Sequence, residues 1–181
     1  EIAARINAFV FDKTGTLTTG QLAVSRLAPQ GDIKPAELLK IAATAEKFSN
    51  HPTAKALATL AKEADLNLTD PSDFKETAGK GVEAKVDGTN VVIGRAQWLR
   101  DNGVGDDFES KVDLKETEGY SLLYVAREGT FIGWIGLQDA TRDEAKGALA
   151  DLLDSGVQRV AMVSGDRQPV AARVAAEIGC A

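Results

Sequence analysis

The stretch Asn7-Ala8-Phe9-Val10-Phe11-Asp12-Lys13-Thr14-Gly15-Thr16-Leu17-Thr18 decides how this chain is read. An almost wholly apolar run stops abruptly at a turn rich in hydroxyls, which predicts a buried parallel strand ending in a polar loop. A carboxylate at the carboxyl end of such a strand points into the crevice where open α/β sheets bind their ligands. Asp12 is therefore placed to attack. It can accept a phosphoryl group as a covalent intermediate if a cation and backbone N–H groups neutralise the transferring oxygens. Lys13, the turn at Gly15 and the hydroxyls of Thr14 and Thr16 are the partners on offer. A capped turn after a strand is the other reading of an isolated Asp-x-Thr.

Working outward, a second apolar run, Arg159 to Val163, stops at Ser164-Gly165-Asp166 and is followed by an Ala/Val-rich stretch from Pro169 to Ile178, closed by Gly179. That layout is strand, turn, helix. Arg142 to Leu153 places Ala145, Leu149, Leu152 and Leu153 at helical spacing, with Gly156 as the stop. These pieces predict part of a parallel α/β layer. The middle differs in style. Pro35 to Ala45 and Pro52 to Ala64 read as amphipathic helices, and from Gly81 the chain alternates as antiparallel strands. Val82, Ala84 and Val86 face one way there, and Asp87-Gly88 forms a two-residue hairpin turn before Thr89 to Ile93. Ser121 to Ala126 and Thr130 to Leu137 predict a further hairpin. The middle thus reads as an insertion, with expected boundaries of 1–22 and 135–181 for the split layer and 23–134 for the inserted domain. The polar segment from Leu99 to Glu118 receives no assignment.

Composition narrows the possibilities. In 181 residues, 27 acidic side chains outweigh 21 basic ones for a net charge of −6, and 44% of the residues are hydrophobic. This is the balance of a globular protein with a packed core, and it argues against a nucleic-acid partner, which clustered Lys and Arg would hold. No apolar run reaches the roughly 18 residues needed to span a bilayer, and the sequence reads as soluble. One Cys, Cys180, and one His, His51, exclude an intrachain disulfide and a structural zinc cluster. Neither a phosphate loop nor a dinucleotide-binding Gly-x-Gly-x-x-Gly follows any strand. Trp98, Trp134 and the phenylalanines are scattered and read as core.

The seven residues from Asp12 to Thr18 match the phosphorylation-site signature of the P-type ATPases, cation pumps of the haloacid dehalogenase superfamily. The resemblance implies that Asp12 becomes the aspartyl phosphate, and that a phosphorylation domain is split by an inserted nucleotide-binding domain of α+β type with an antiparallel sheet. Ser164-Gly165-Asp166 resembles the family's Thr-Gly-Asp, which holds the phosphoryl group, with Ser keeping the hydroxyl. Gly136 to Arg142 resembles the Asp-x-x-Arg segment near the hinge, placing Asp139 and Arg142 there. Glu46, Ser49, His51 and Pro52 match the Glu-x-x-Ser-Glu-His-Pro signature of the heavy-metal (P1B) branch, with Asn50 in place of its second Glu. Gly79, Gly81 and Gly94 resemble that branch's remaining nucleotide-site glycines, where missing side chains let a nucleotide lie against the backbone. A neutral imidazole beside the free N–H groups of a Pro-started helix offers a flat surface for adenine, and a plain helix cap is the alternative for His51.

ATP and Mg²⁺ are the implied cofactors, with Asp12 and Thr14 as magnesium ligands in an incomplete site, because the family's downstream Lys and magnesium-holding segment do not occur in these residues. The chain is accordingly expected to be a piece of a longer protein, the cytosolic part of an integral membrane pump. Its partners would be ATP and the actuator and transmembrane domains, with the transported ion bound elsewhere. The isolated piece is expected to bind ATP without turnover. Gly136 to Asp139 and the Gly-Asp-Arg at 165–167 resemble zinc/cadmium pumps slightly more than copper pumps. Two other functions stand beside this one. A soluble phosphatase of the same superfamily would carry a second Asp where Thr14 stands, and a nucleotide-binding module would lack turnover altogether.

Overall fold

The computed structural model describes residues 7–165 and 168–180. They form two compact units, one from the described residues up to 21 and from 139 onward, the other from 22–138. The two sequence crossings lie at 21/22 and 138/139, compared with 22/23 and 134/135 from the change in pattern. The later crossing falls inside one uninterrupted strand, β7 (Thr130–Thr141), where no break in residue type marks it.

In the split unit, β1 (Ala8–Asp12) pairs in parallel with β8 (Arg159–Val163), Asp12 lying opposite Val163. Helices α5 (Asp143–Asp154) and α6 (Gln168–Ile178) supply Ala145, Leu149, Val174 and Ile178 to a core with Leu17 and Val160. Cys180 packs against this core and donates its thiol to the Val160 carbonyl at 3.3 Å. The sequence predicted β1 as a buried strand, and the structure corrects this. Its residues alternate between half-buried and exposed, and Val10 is 64% exposed. The described core covers one face of the strand pair only, so the apolar run fills one face and leaves the other open.

The inserted unit is a six-stranded antiparallel sheet in the order β2-β7-β6-β5-β4-β3. Its strands are β2 (Thr18–Pro29), β3 (Ser72–Thr77), β4 (Gly81–Val86), β5 (Thr89–Gly94), β6 (Ser121–Arg127) and β7. Helices α1 (Pro35–Ala45) and α2 (Pro52–Glu63) bury Leu38, Leu39 and Leu57 against Val82, Ile93, Val125 and Ile135 on one face. The expected Asp87-Gly88 turn forms with positive φ at both residues, and Glu128-Gly129 repeats it, each matching the right-handed strand twist. The unassigned polar segment covers the other face through α3 (Ala96–Asp101), a 3₁₀ turn and α4 (Leu114–Thr117), seating Leu99, Val104, Phe108 and Val112 against Phe131 and Trp134. Phe131 and Trp134 share a face although three positions apart, because β7 carries a bulge opposite Val125/Ala126 and Gly133 there takes φ 146°.

Candidate functional site

In the split unit, Asp12 ends β1 and is exposed. The parallel register brings Ser164-Gly165 off β8 at the same end of the strand pair, since Val163 is the partner of Asp12. Asp166 lies outside the described residues. The turn from Lys13 to Leu17 reverses through Gly15 at φ 79°, a conformation that favours glycine. Lys13, expected as a phosphate partner, is buried, and its ammonium stands 3.5 Å from Asp139 Oδ2. The Thr18 hydroxyl donates to the same oxygen at 2.6 Å and lies 3.0 Å from the Lys13 carbonyl. Arg142 donates from Nε to the Thr16 carbonyl at 2.9 Å and from its terminal nitrogen to the Gly15 carbonyl at 3.0 Å. Asp139 and Arg142, placed near a hinge by resemblance, therefore brace the loop that follows Asp12. The exposed side chains of Thr14 and Thr16 remain beside the carboxylate in sequence.

In the inserted unit, Glu46, Ser49, His51, Gly79, Gly81 and Gly94, drawn from separate stretches of sequence, line one cavity of about 230 Å³. Glu46 closes α1 and is only 4% exposed, and its Oε2 has no hydrogen-bond partner among the described residues. Burial, and then the charge of Glu76, push its carboxyl up to about 7. A buried carboxyl without a partner costs free energy, which a ligand donor in the cavity would recover.

His51 is the N-cap of α2. Its Nδ1 accepts from the Thr53 N–H at 3.2 Å and contacts the Thr53 hydroxyl, while its own N–H donates to Ser49 Oγ at 3.1 Å. An accepting Nδ1 leaves the ring proton on Nε2. The cap and the cavity wall are thus the same side chain, and one of the N–H groups that the Pro-started helix leaves open is taken by the imidazole itself.

The glycines have a structural reason that the sequence does not show. Gly81 and Gly94 face each other across β4 and β5, and a Cβ on Gly81 would stand 2.1 Å from the Ile93 carbonyl and 2.5 Å from Trp98 Cδ1. Their bareness admits the Trp98 ring. Gly79 sits at φ 73° with open space around it, so its need is conformational. Sequence reasoning missed Thr53, Glu76, Lys80 and Arg95, which line the same cavity. Lys80 and Arg95 each adjoin a glycine already singled out, and that adjacency was the available signal.

The chain belongs to the haloacid dehalogenase-like hydrolases, whose family model matches residues 6–181. More particularly, it is homologous to the cytosolic portion of heavy-metal P-type ATPases. It is 36% identical over 177 residues to the copper-exporting P-type ATPase of Staphylococcus aureus, a match that takes in 97% of this chain and 21% of that protein. The crystal structure of a zinc-transporting PIB-type ATPase superposes with a TM-score of 0.86 at 34% identity, over 97% of this chain and 28% of that one. The catalytic domain of a CPx-ATPase, whose conformational changes upon nucleotide binding have been described, superposes with a TM-score of 0.62 at 25% identity, over 98% of this chain and 60% of that one. The chain thus spans about a fifth of the length of the curated relatives it matches. No helix among the described residues is long and apolar enough to cross a membrane.

Proposed function

We propose that this chain is the ATP-binding and phosphorylation portion of a heavy-metal-translocating P-type ATPase, with residues 22–138 binding the nucleotide and Asp12 receiving the phosphoryl group. The observation that carries the reading is the single cavity gathering Glu46, Ser49, His51, Gly79, Gly81 and Gly94. Adenine suits it. The exocyclic amine of the base offers a donor to the partnerless Glu46 oxygen, and the His51 ring offers a face for stacking.

At the other site an Asp12 carboxylate oxygen attacks the γ-phosphorus of ATP, the bond to the bridging oxygen breaks, and ADP leaves with that electron pair. Water later cleaves the acyl phosphate, releasing inorganic phosphate and restoring Asp12. The Gly15 turn presents backbone N–H groups, and the hydroxyls of Thr16 and Ser164 offer further donors. Lys13, held by Asp139, and Arg142, holding the Gly15 and Thr16 carbonyls, keep that loop in shape. Oxygen donors at Asp12 and Thr14 suit a hard cation that keeps several waters. Asp12 and Thr14 are the residues of this chain that would hold Mg²⁺. When bound, it supplies charge neutralisation on the transferring phosphoryl group.

Thr14 also favours a lasting phosphoenzyme, because a hydroxyl two residues after the nucleophile cannot serve as the general acid a phosphatase needs. Relatives at similar identity include both a copper exporter and a zinc transporter, so identity over this portion does not distinguish the transported ion. The test is radiolabel from γ-labelled ATP in the pump that carries this chain. Acid-stable label should appear on the wild type and vanish in Asp12→Asn with ATP binding retained, and label persisting in the variant would refute the assignment.

A further inference from the structure

Next to Gly94, Arg95 lines the nucleotide cavity, and its guanidinium has no partner among the described residues. Its backbone is held on both sides. The Arg95 N–H donates to the Lys80 carbonyl at 3.2 Å, and the Arg95 carbonyl accepts from the Trp98 N–H at 2.9 Å. Trp98 in turn packs against the bare backbone of Gly81 and Gly94. The root of the side chain is thereby fixed on the cavity wall, and the residue is exposed. Lys80, the other cation on that wall, is already engaged, paired with Asp101 at 3.4 Å and with its ammonium 5.8 Å from the Trp98 ring centroid.

Charge around the cavity makes an uncommitted cation consequential. Glu76 lines it, in a chain whose net charge is −6. A polyanionic tail entering there meets repulsion unless a positive group offsets it. A guanidinium presents N–H donors in a planar fork that matches phosphate oxygens two at a time.

We infer that Arg95 holds the phosphate tail of an adenine nucleotide seated in this cavity and so sets its preference for ATP and ADP over adenosine. The inference rests on the nucleotide-pocket reading above and can fail separately from it. Calorimetric titration of the 181-residue chain with ATP, ADP and adenosine, for the wild type, Arg95→Gln and Arg95→Lys, is the experiment. ATP should bind the wild type more tightly than adenosine, and that advantage should shrink as salt is raised. Arg95→Gln should weaken ATP about tenfold, the loss of a charge-assisted hydrogen bond, and leave adenosine unchanged. Arg95→Lys should recover part of the ATP affinity. Equal wild-type affinity for ATP and adenosine, or an ATP-to-adenosine ratio unmoved by Arg95→Gln, overturns the role of Arg95 while leaving the pocket standing. Failure of the wild-type chain to bind both ATP and adenosine overturns the pocket reading itself.

Discussion

The two units of this molecule manage apolar surface in opposite ways. In the inserted unit both faces of a six-stranded sheet are covered, one by α1 and α2 and the other by the segment from α3 to α4. In the split unit the described core lies on one face of the β1–β8 pair, and Val10 and Val163 remain 64% and 58% exposed on strands that a closed sheet would bury. The chemistry divides along the same line. The inserted unit encloses a cavity whose wall includes a buried carboxyl, while the split unit sets its carboxylate on an exposed strand end beside a braced loop.

The contrast should appear most strongly in native-state hydrogen exchange. Amides of β1 and β8 are expected to open at free energies several kcal/mol below those of β4, β5 and β6, since local opening follows buried apolar contact. Equal protection in the two units would erase the contrast.

Both tryptophans, Trp98 and Trp134, lie in the inserted unit, so denaturation followed by tryptophan fluorescence reads that unit alone. Glu46 makes its stability pH-dependent in a definite sense. The folded state raises this carboxyl from 4.5 to about 7, so the stability it contributes is present in full below pH 4.5 and is lost as pH rises through 7. Glu46→Gln cannot titrate. Its stability relative to the wild type should therefore rise by about 2–3 kcal/mol between about pH 5 and pH 8. A constant difference across that range would mean that Glu46 is ionised throughout.

Gly81→Ala tests whether the glycine pair serves packing. The new methyl collides with backbone and with Trp98, and the fluorescence-monitored unit should lose about 1–3 kcal/mol without ligand. Unchanged stability, with nucleotide affinity reduced, would return Gly81 to the purely ligand-facing role expected from the sequence.

The smallest effect separates the two duties of His51. Asparagine is also a good N-cap, so His51→Asn should keep α2 stable while removing the ring face from the cavity. ATP affinity is expected to fall by about five- to thirtyfold, or about 1–2 kcal/mol. An unchanged dissociation constant in calorimetry would leave His51 as a helix cap only.

Local signals in the chain were enough for much of this. An apolar run ending at Asp12, a Pro-started helix after His51 and the Asp87-Gly88 turn each specify a strand end, a cap or a hairpin through backbone preference within a few residues, and each forms where the pattern places it. Composition and motif order were sufficient to indicate the family, and an interruption of the parallel α/β pattern was legible in the alternating, hairpin-forming strands from Gly81 onward.

Tertiary structure decided what depends on neighbours distant in sequence. The segment from Leu99 to Glu118 looked polar because its buried residues, Leu99, Val104, Phe108 and Val112, are spaced irregularly and make sense only against Phe131 and Trp134. The inward pairing of Lys13 depends on Asp139 and Thr18, and the fit of Gly81 and Gly94 depends on Trp98. Arg95 is an ordinary surface arginine until β4 and β5 bring it beside Lys80 and the cavity. Backbone propensity acts over a few residues and is written in the local sequence, whereas burial, collision and charge act through space, and only the folded chain determines which groups they join.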